Sequence, residues 1–234
     1  SHRAIDIFDN TPLPLIRYYT DQVAFVSEQY ILFIDNGVTT ISNGVYRDIS
    51  LVSVLLSDTV TDICNEAFAF NDISSLTIPN SVQRIGDFAF QDNDISSLTF
   101  DSNSSLESIG SFAFYDNSIS SLTIPNSVTT IDASAFAFNE LTSLTFDSSS
   151  TLKSIGSFAF YDNSISYLTI PISVHTISDS AFKNNDISDV IMPFDLSHRA
   201  IDIFDNTPLI RYSLHIQKGV TTISNEFYKD ASLV

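Results

Sequence analysis

The sequence predicts an α/β-type repeat solenoid, a right-handed curved coil with one short parallel strand in each turn of 22–24 residues. Three observations predict it. Leu32, Val54, Leu76, Leu98, Leu122, Leu144, Leu168, Val190 and Leu214 recur at spacings of 22 or 24, each opening an apolar–any–apolar triplet. An isoleucine column, Ile41, Ile63, Ile85, Ile109, Ile131, Ile155, Ile177, Ile201 and Ile223, stands nine or eleven residues after those leaders. Five residues further on runs an aromatic column of Tyr46, Phe68, Phe90, Phe114, Phe136, Phe160, Phe182 and Tyr228, interrupted at Asn206. Such a chain buries each turn's apolar face only against the turns before and after it.

The turn that starts at Ser75 shows the reasoning for each element. In an extended strand Leu76 and Ile78 share the inner face, and Ser75 and Thr77 the outer one. Pro79 ends the strand because it has no N–H for a ladder. The chain then turns through Asn80 and Ser81 and returns Val82 and Ile85 to the interior. A short helical or 3₁₀ segment over Gly86–Phe90 is expected to bring Ala89 and Phe90 inside. Before each following strand comes an asparagine: Asn71, Asn93, Asn117, Asn139, Asn163 and Asn185. These side chains are expected to satisfy backbone groups across the turn, to take a left-handed conformation, or to bond amide to amide between turns. Two-residue insertions, at Phe100–Leu106 and Phe146–Leu152, lengthen two turns. They are expected to bulge on one side without changing the core, and their alternation with short turns indicates a duplicated two-repeat cassette.

A longer duplication is superimposed. Ser1–Leu13 reappears unchanged as Ser197–Leu209, Leu-Ile-Arg-Tyr recurs at Leu15–Tyr18 and Leu209–Tyr212, and both copies reach Gly-Val-Thr-Thr-Ile-Ser-Asn, at Gly37–Asn43 and Gly219–Asn225. Residues 1–31 are therefore read as an N-terminal cap or irregular partial repeat, and 32–234 as solenoid with a degenerate turn at 190–213.

Composition excludes several functions. With 28 acidic residues against 10 Lys and Arg, the net charge is −18, which opposes binding to nucleic acid or anionic membrane. Cys64 is the single cysteine, so no internal disulfide can form. It follows Ile63 where other turns place Gly86, Gly110 and Gly156, and reads as a close-packed structural thiol. The sequence holds no basic-then-apolar leader and no apolar run long enough to cross a bilayer. His2, His175, His198 and His215 form no ligand pair, no serine sits in a nucleophile elbow, and six glycines are too few and too scattered for a phosphate cradle. No enzyme activity, cofactor or metal centre is expected. Asp92, Asp94, Asp116, Asp162 and Asp186 beside the asparagine column leave weak calcium association conceivable, without the spacing of a twelve-residue calcium loop.

What remains is a surface. Outward strand positions carry Thr77, Thr99, Thr123, Thr145 and Thr169, then Ile191; the neighbouring column carries Ser75, Ser97, Ser121 and Ser143, then Tyr167 and Asp189. The Ser/Thr rule breaks at Tyr167, Asp189 and Ile191, and tyrosine supplies apolar area plus a hydroxyl. The candidate partner-binding face is therefore Thr77, Thr99, Thr123, Thr145, Tyr167, Thr169, Asp189 and Ile191. Three alternatives stand beside it: a passive spacer or stalk, ordered-water or ice binding by a threonine array repeating at ~4.8 Å, and self-association through open solenoid ends.

Leu122-Thr123-Ile124-Pro125-Asn126-Ser127-Val128-Thr129-Thr130-Ile131 and Ile155-Gly156-Ser157-Phe158-Ala159-Phe160 closely resemble the BspA-like, or Treponema pallidum-type, leucine-rich repeats. The resemblance runs from about Leu32 to Val234 and carries over only the repeat core, such as Leu122, Ile124, Val128, Ile131 and Phe136. It implies a leucine-rich-repeat solenoid without catalytic residues, serving adhesion or binding to a protein or glycan of a host, matrix or neighbouring cell. A secreted or cell-surface location is implied in the same way.

Overall fold

The computed structural model describes residues 16–18, 30–193, 203–204 and 211–215, with side chains for 30–193 and 203–204. Each turn contributes a longer strand to one face: β2 (Tyr30–Phe33), β4 (Leu51–Leu55), β6 (Ser75–Ile78), β8 (Ser97–Phe100), β10 (Ser121–Ile124), β12 (Ser143–Phe146), β14 (Tyr167–Thr169), β16 (Asp189–Pro193) and β17 (Arg211–His215). The chain is a curved parallel solenoid, as the 22- and 24-residue periods require. Each turn also carries a two-residue strand one side further on, at the isoleucine column: β3 (Thr40–Ile41), β5 (Asp62–Ile63), β7 (Arg84–Ile85), β9 (Ser108–Ile109), β11 (Thr130–Ile131), β13 (Ser154–Ile155) and β15 (Thr176–Ile177). These seven form one unbroken parallel sheet with isoleucine opposite isoleucine throughout.

The helical segment expected over Gly86–Phe90 is absent, and residues 30–193 contain no helical residue. The backbone N–H groups explain why. Those of Phe88, Phe90 and Asp92 donate to the carbonyls of Ser111, Ala113 and Tyr115 in the next turn, at 2.8, 2.8 and 2.9 Å. Ala89 and Gln91 close local turns onto Gly86 and Phe88. Bonds that would run along a helix run between turns instead. This geometry places two residues per turn in the left-handed region. The first position is held in successive turns by Gly44, Glu66, Phe88, Phe112, Ser134, Phe158 and Ser180, the second by Asp48, Phe70, Asp92, Asp116, Phe138, Asp162 and Asn184. A residue with a Cβ is strained there by roughly 1–2 kcal/mol, partly offset when glycine replaces it by the extra disorder glycine brings to the unfolded chain. Ser180→Gly, which copies Gly44, is expected to raise stability by about 0.5–1 kcal/mol in urea unfolding; a loss would show that Ser180 earns its place by contacts.

The core is a continuous stripe. The strand leaders from Leu32 to Val190 and the isoleucines from Ile41 to Ile177 are buried, and the phenylalanines from Phe68 to Phe182 are wholly so. From Tyr46 to Phe204 the spine rings stack with centroids 5.1–5.6 Å apart. Here the expected register is corrected. Phe204, not the position of Asn206, receives Phe182, and Val190 stands opposite Tyr212 while Leu214 stands opposite Met192. The turn after Val190 therefore spans 22 residues. The slip of two keeps the strand's parity, so leucine periodicity alone could not reveal it. Ile201, Asn206, Ile223 and Tyr228 lie outside the described residues.

The asparagine column is buried and does one of the three things expected of it. Asn117 accepts the Ile95 N–H at 3.0 Å through Oδ1, and its Nδ2 donates to the Phe90 carbonyl of the preceding turn at 3.0 Å. Asn71, Asn93, Asn139, Asn163 and Asn185 repeat the bridge. None has a positive φ, and their amides bond to backbone rather than to each other. The glycine column answers close approach: a Cβ on Gly110 would lie 2.7 Å from the Asp87 nitrogen and the Gly86 carbonyl carbon of the turn before. Cys64 occupies the same column half-buried, and burial, then the Asp62 carboxylate, push its thiol pKa up against the opposing pull of Arg84. At the N-terminal side β1 (Ile16–Tyr18) runs antiparallel along β2, opposite the edge that β4 takes.

Candidate interaction surface

The outward residues of the longer strands form the predicted face. Thr77, Thr99, Thr123, Thr145, Tyr167 and Thr169 are exposed, and Asp189 and Ile191 half-exposed. The hydroxyls are not evenly arrayed, however. Thr77 and Thr99 share a hydrogen bond of 2.9 Å and Thr123 and Thr145 one of 2.8 Å, but no ladder joins β4 to β6, β8 to β10 or β12 to β14. At the last two breaks the intervening turn carries the inserted residues. The insertions thus leave the core stripe intact, as expected, but they segment the strand face, which was not. Periodic hydroxyls without interruption are what ordered-water binding would use, and this face offers pairs.

Each of those two breaks holds a cleft. The first, about 420 Å³, is lined by Thr99, Asp101, Asn103, Thr123, Asn126 and Asp147. The second, about 290 Å³, is lined by Thr145, Phe146, Asp147, Tyr167, Thr169 and Ile172. Tyr167 is 53% exposed and Ile172 59%, an apolar rim beside the hydroxylated columns that run from Ser75 and Thr77 to Ser143 and Thr145. Tyr167 stands opposite Asp189, and Thr169 opposite Ile191, in the β14–β16 ladder, so the structure brings the three irregular positions, Tyr167, Asp189 and Ile191, together beside the second cleft. The Tyr167 hydroxyl accepts a hydrogen bond from Thr169 Oγ1 at 3.3 Å. Ile172 was missed in the sequence because it follows Pro171, outside the strand, where earlier turns carry Asn80 and Asn126.

A second group of side chains, half-buried and exposed rings, was also missed. Phe88 and Phe112 stack at 4.9 Å, and ring contacts of 5.2–5.6 Å continue through Tyr115, Phe138, Tyr161 and Phe158. The signal was present: Phe-Ala-Phe puts a second ring two residues before the spine phenylalanine. The alternation of the two left-handed positions hid it.

Among the described residues, no group of three or more His, Cys, Asp or Glu side chains is arranged to hold a metal ion. His175 is exposed on a two-residue connection before β15, and the side chains of His2, His198 and His215 lie outside the described residues. Among the described residues, no helix is long and apolar enough to cross a membrane.

Comparison with known proteins follows the same architecture. The family model described as BspA type leucine rich repeat region matches in six copies, over residues 25–139 and 107–234. The crystal structure of the pneumococcal vaccine antigen PcpA is similar at 28% identity and a TM-score of 0.55, over 77% of this chain and 49% of that one. The chain thus spans about half the length of that protein. A leucine rich cell surface protein of Faecalibacterium prausnitzii aligns at 22% identity and a TM-score of 0.41, over 78% of this chain and 59% of that one. No curated protein sequence matches.

Proposed function

This chain belongs to the BspA-type leucine-rich-repeat family, a non-catalytic one, and from that premise we propose that its segmented strand face is an adhesive surface for a protein or glycan outside the cell. The observation that carries the reading is the patch of Tyr167, Thr169, Asp189 and Ile191 beside a cleft rimmed by exposed Ile172. Aromatic and aliphatic anchors next to a recess provide the desolvated centre that binding surfaces need, and the surrounding Ser and Thr provide a polar rim. Similarity to a pneumococcal vaccine antigen supports the extracellular placement.

The test restores the Ser/Thr rule. Tyr167→Ser, Asp189→Ser and Ile191→Thr, singly and together, are measured against a panel of matrix proteins and glycans. Saturable binding is expected, weakened about tenfold or more by Tyr167→Ser, the loss of over 1 kcal/mol typical of an anchoring aromatic. A folded chain that binds nothing on the panel would favour the spacer reading, which the unbroken isoleucine ladder and aromatic stack also suit.

A further inference from the structure

Away from the strand face, the two left-handed positions carry a run of side chains that the fold does not require. Phe138 is 38% exposed and Phe158 41%, and Phe88 and Phe112 are only half-buried. The equivalent places in other turns are filled by Gly44, Ser134 and Ser180 at the first position and by Asp48 and Asn184 at the second. Asparagine, aspartate and glycine tolerate that backbone; a bulky residue there is a true outlier and bears the strain. The interior packing belongs to the spine rings, which lie two residues away and are wholly buried. Strained, exposed rings that the core does not use point outward for their purpose.

From Phe88 to Phe138 the charge around them is of one sign. Asp92, Asp116 and Asp162 are interspersed with Phe70 and Phe138 along the second position, and all three are exposed. From residue 85 to residue 152 the sequence holds no Lys or Arg. A shallow depression of about 410 Å³ is lined by Phe70, Asp72, Asp92, Asp94 and Asp116. Burial, then Asp116, raises the Asp92 pKa; burial, then Asp116, Asp92 and Tyr161, raises that of Tyr115. The Asp92 and Asp116 carboxylates therefore lie close enough to repel each other, a repulsion that a cation relieves.

The chain itself shows what such a site accepts. The Arg47 guanidinium lies over the Phe70 ring, 4.8 Å from its centroid, and pairs with the Glu66 carboxylate. Phe70 and Glu66 occupy the second and first left-handed positions of their turn. Three and five turns after Arg47, Tyr115 and Tyr161 stand at its place in the repeat, in turns that bring no arginine of their own. We infer that the stripe Phe88–Phe112–Tyr115–Phe138–Tyr161–Phe158, with Asp92, Asp116 and Asp162 along it, is a docking surface for arginine side chains on an extended basic segment of a partner protein. Rings take the guanidinium planes by cation–π and stacking contact, and the aspartates take their N–H groups.

The probe is a hexa-arginine peptide titrated calorimetrically into the whole chain, with hexalysine and chitohexaose alongside. Phe138→Asn with Phe158→Ser places at both sites residues the chain already uses there, Asn184 and Ser180. Asp116→Asn tests the charge alone at an exposed position. Hexa-arginine is expected to bind saturably and more tightly than hexalysine, at least tenfold more weakly in the double variant and several-fold more weakly in Asp116→Asn. Tyr167→Ser should leave it unchanged, which separates this surface from the strand face. Binding that ignores the ring substitutions, equal binding of both peptides, or no saturable binding would overturn the inference. So would chitohexaose binding that the double variant abolishes, or concentration-dependent self-association in sedimentation that it abolishes, because either gives the stripe another occupant.

Discussion

Phe114→Ala is expected to lower the unfolding free energy by about 3–5 kcal/mol, the cost of emptying a fully packed aromatic site. Phe114 has no solvent exposure and stacks on Phe90 at 5.3 Å and on Phe136 at 5.2 Å. Its neighbours cannot collapse into the gap, because backbone bonds on both sides hold them: Phe90 N–H to the Ala113 carbonyl and Phe114 N–H to the Ala135 carbonyl, each at 2.8 Å. In a structure where turns touch only adjacent turns, that loss concentrates at one place along the axis. Urea unfolding followed by far-ultraviolet circular dichroism gives the total. Amide exchange should show protection falling most in the turns of Phe90, Phe114 and Phe136. A loss below about 1 kcal/mol, less than a buried ring is worth, would mean the spine is loosely packed.

The second large effect is expected at Asn117. Its replacement by leucine leaves the Ile95 N–H without its partner in a buried setting and takes from the Phe90 carbonyl one of its two donors, the Asn93 amide remaining at 3.2 Å. At about 1–3 kcal/mol for the stranded N–H and about 1 kcal/mol for the lost bond to the carbonyl, the loss is about 2–4 kcal/mol. Asn117→Asp separates acceptor from donor. It keeps an oxygen for Ile95 but turns a second oxygen toward the carbonyls of Phe90 and Tyr115, where Nδ2 now donates. Burial and those carbonyls hold the new carboxyl's folded pKa above its unfolded value near 3.9. The protonated form can donate, so the variant is closest to the parent at low pH. Its deficit grows as pH rises through the folded pKa. Unfolding at pH 4 and pH 7 therefore gives a larger difference from the parent at pH 7; equal differences would mean that the amide donor contributes nothing.

The solenoid was legible because its signal is redundant. Leucine, isoleucine, phenylalanine and asparagine columns report the same period, and the structure buries all four. What escaped was information that no column carries. Helix or turn over Gly86–Phe90 depends on where the N–H groups of Phe88 and Phe90 point, and they point to the next turn. Apolar spacing cannot show that. At the C-terminal side Leu214 was an attractive leader, but Tyr212 stands opposite Val190, and a shift of two leaves inside and outside unchanged. At the surface, Tyr167, Asp189 and Ile191 stood out as exceptions to a rule, and the ladder sets them side by side. Phe158 showed as the second ring of a Phe-Ala-Phe but, like Phe138, was masked because phenylalanine is also the spine residue. Their exposure follows from backbone conformation.

The two strand columns differ in continuity, and this makes the molecule mechanically lopsided. The isoleucine ladder passes through seven turns without a gap, while the longer strands are hydrogen-bonded in short sets separated by breaks, two of which hold clefts. The isoleucine ladder, with the unbroken backbone bonds of the spine turns beside it, acts as a tendon, and the longer strands as a row of plates hinged upon it. Bending about the tendon strains few hydrogen bonds and changes mainly the widths of the gaps between plates. A load along the axis is therefore shared by the narrow strands and by the backbone bonds of the spine turns, which also pass from turn to turn without a gap, leaving the plates free to adjust to what lies against them.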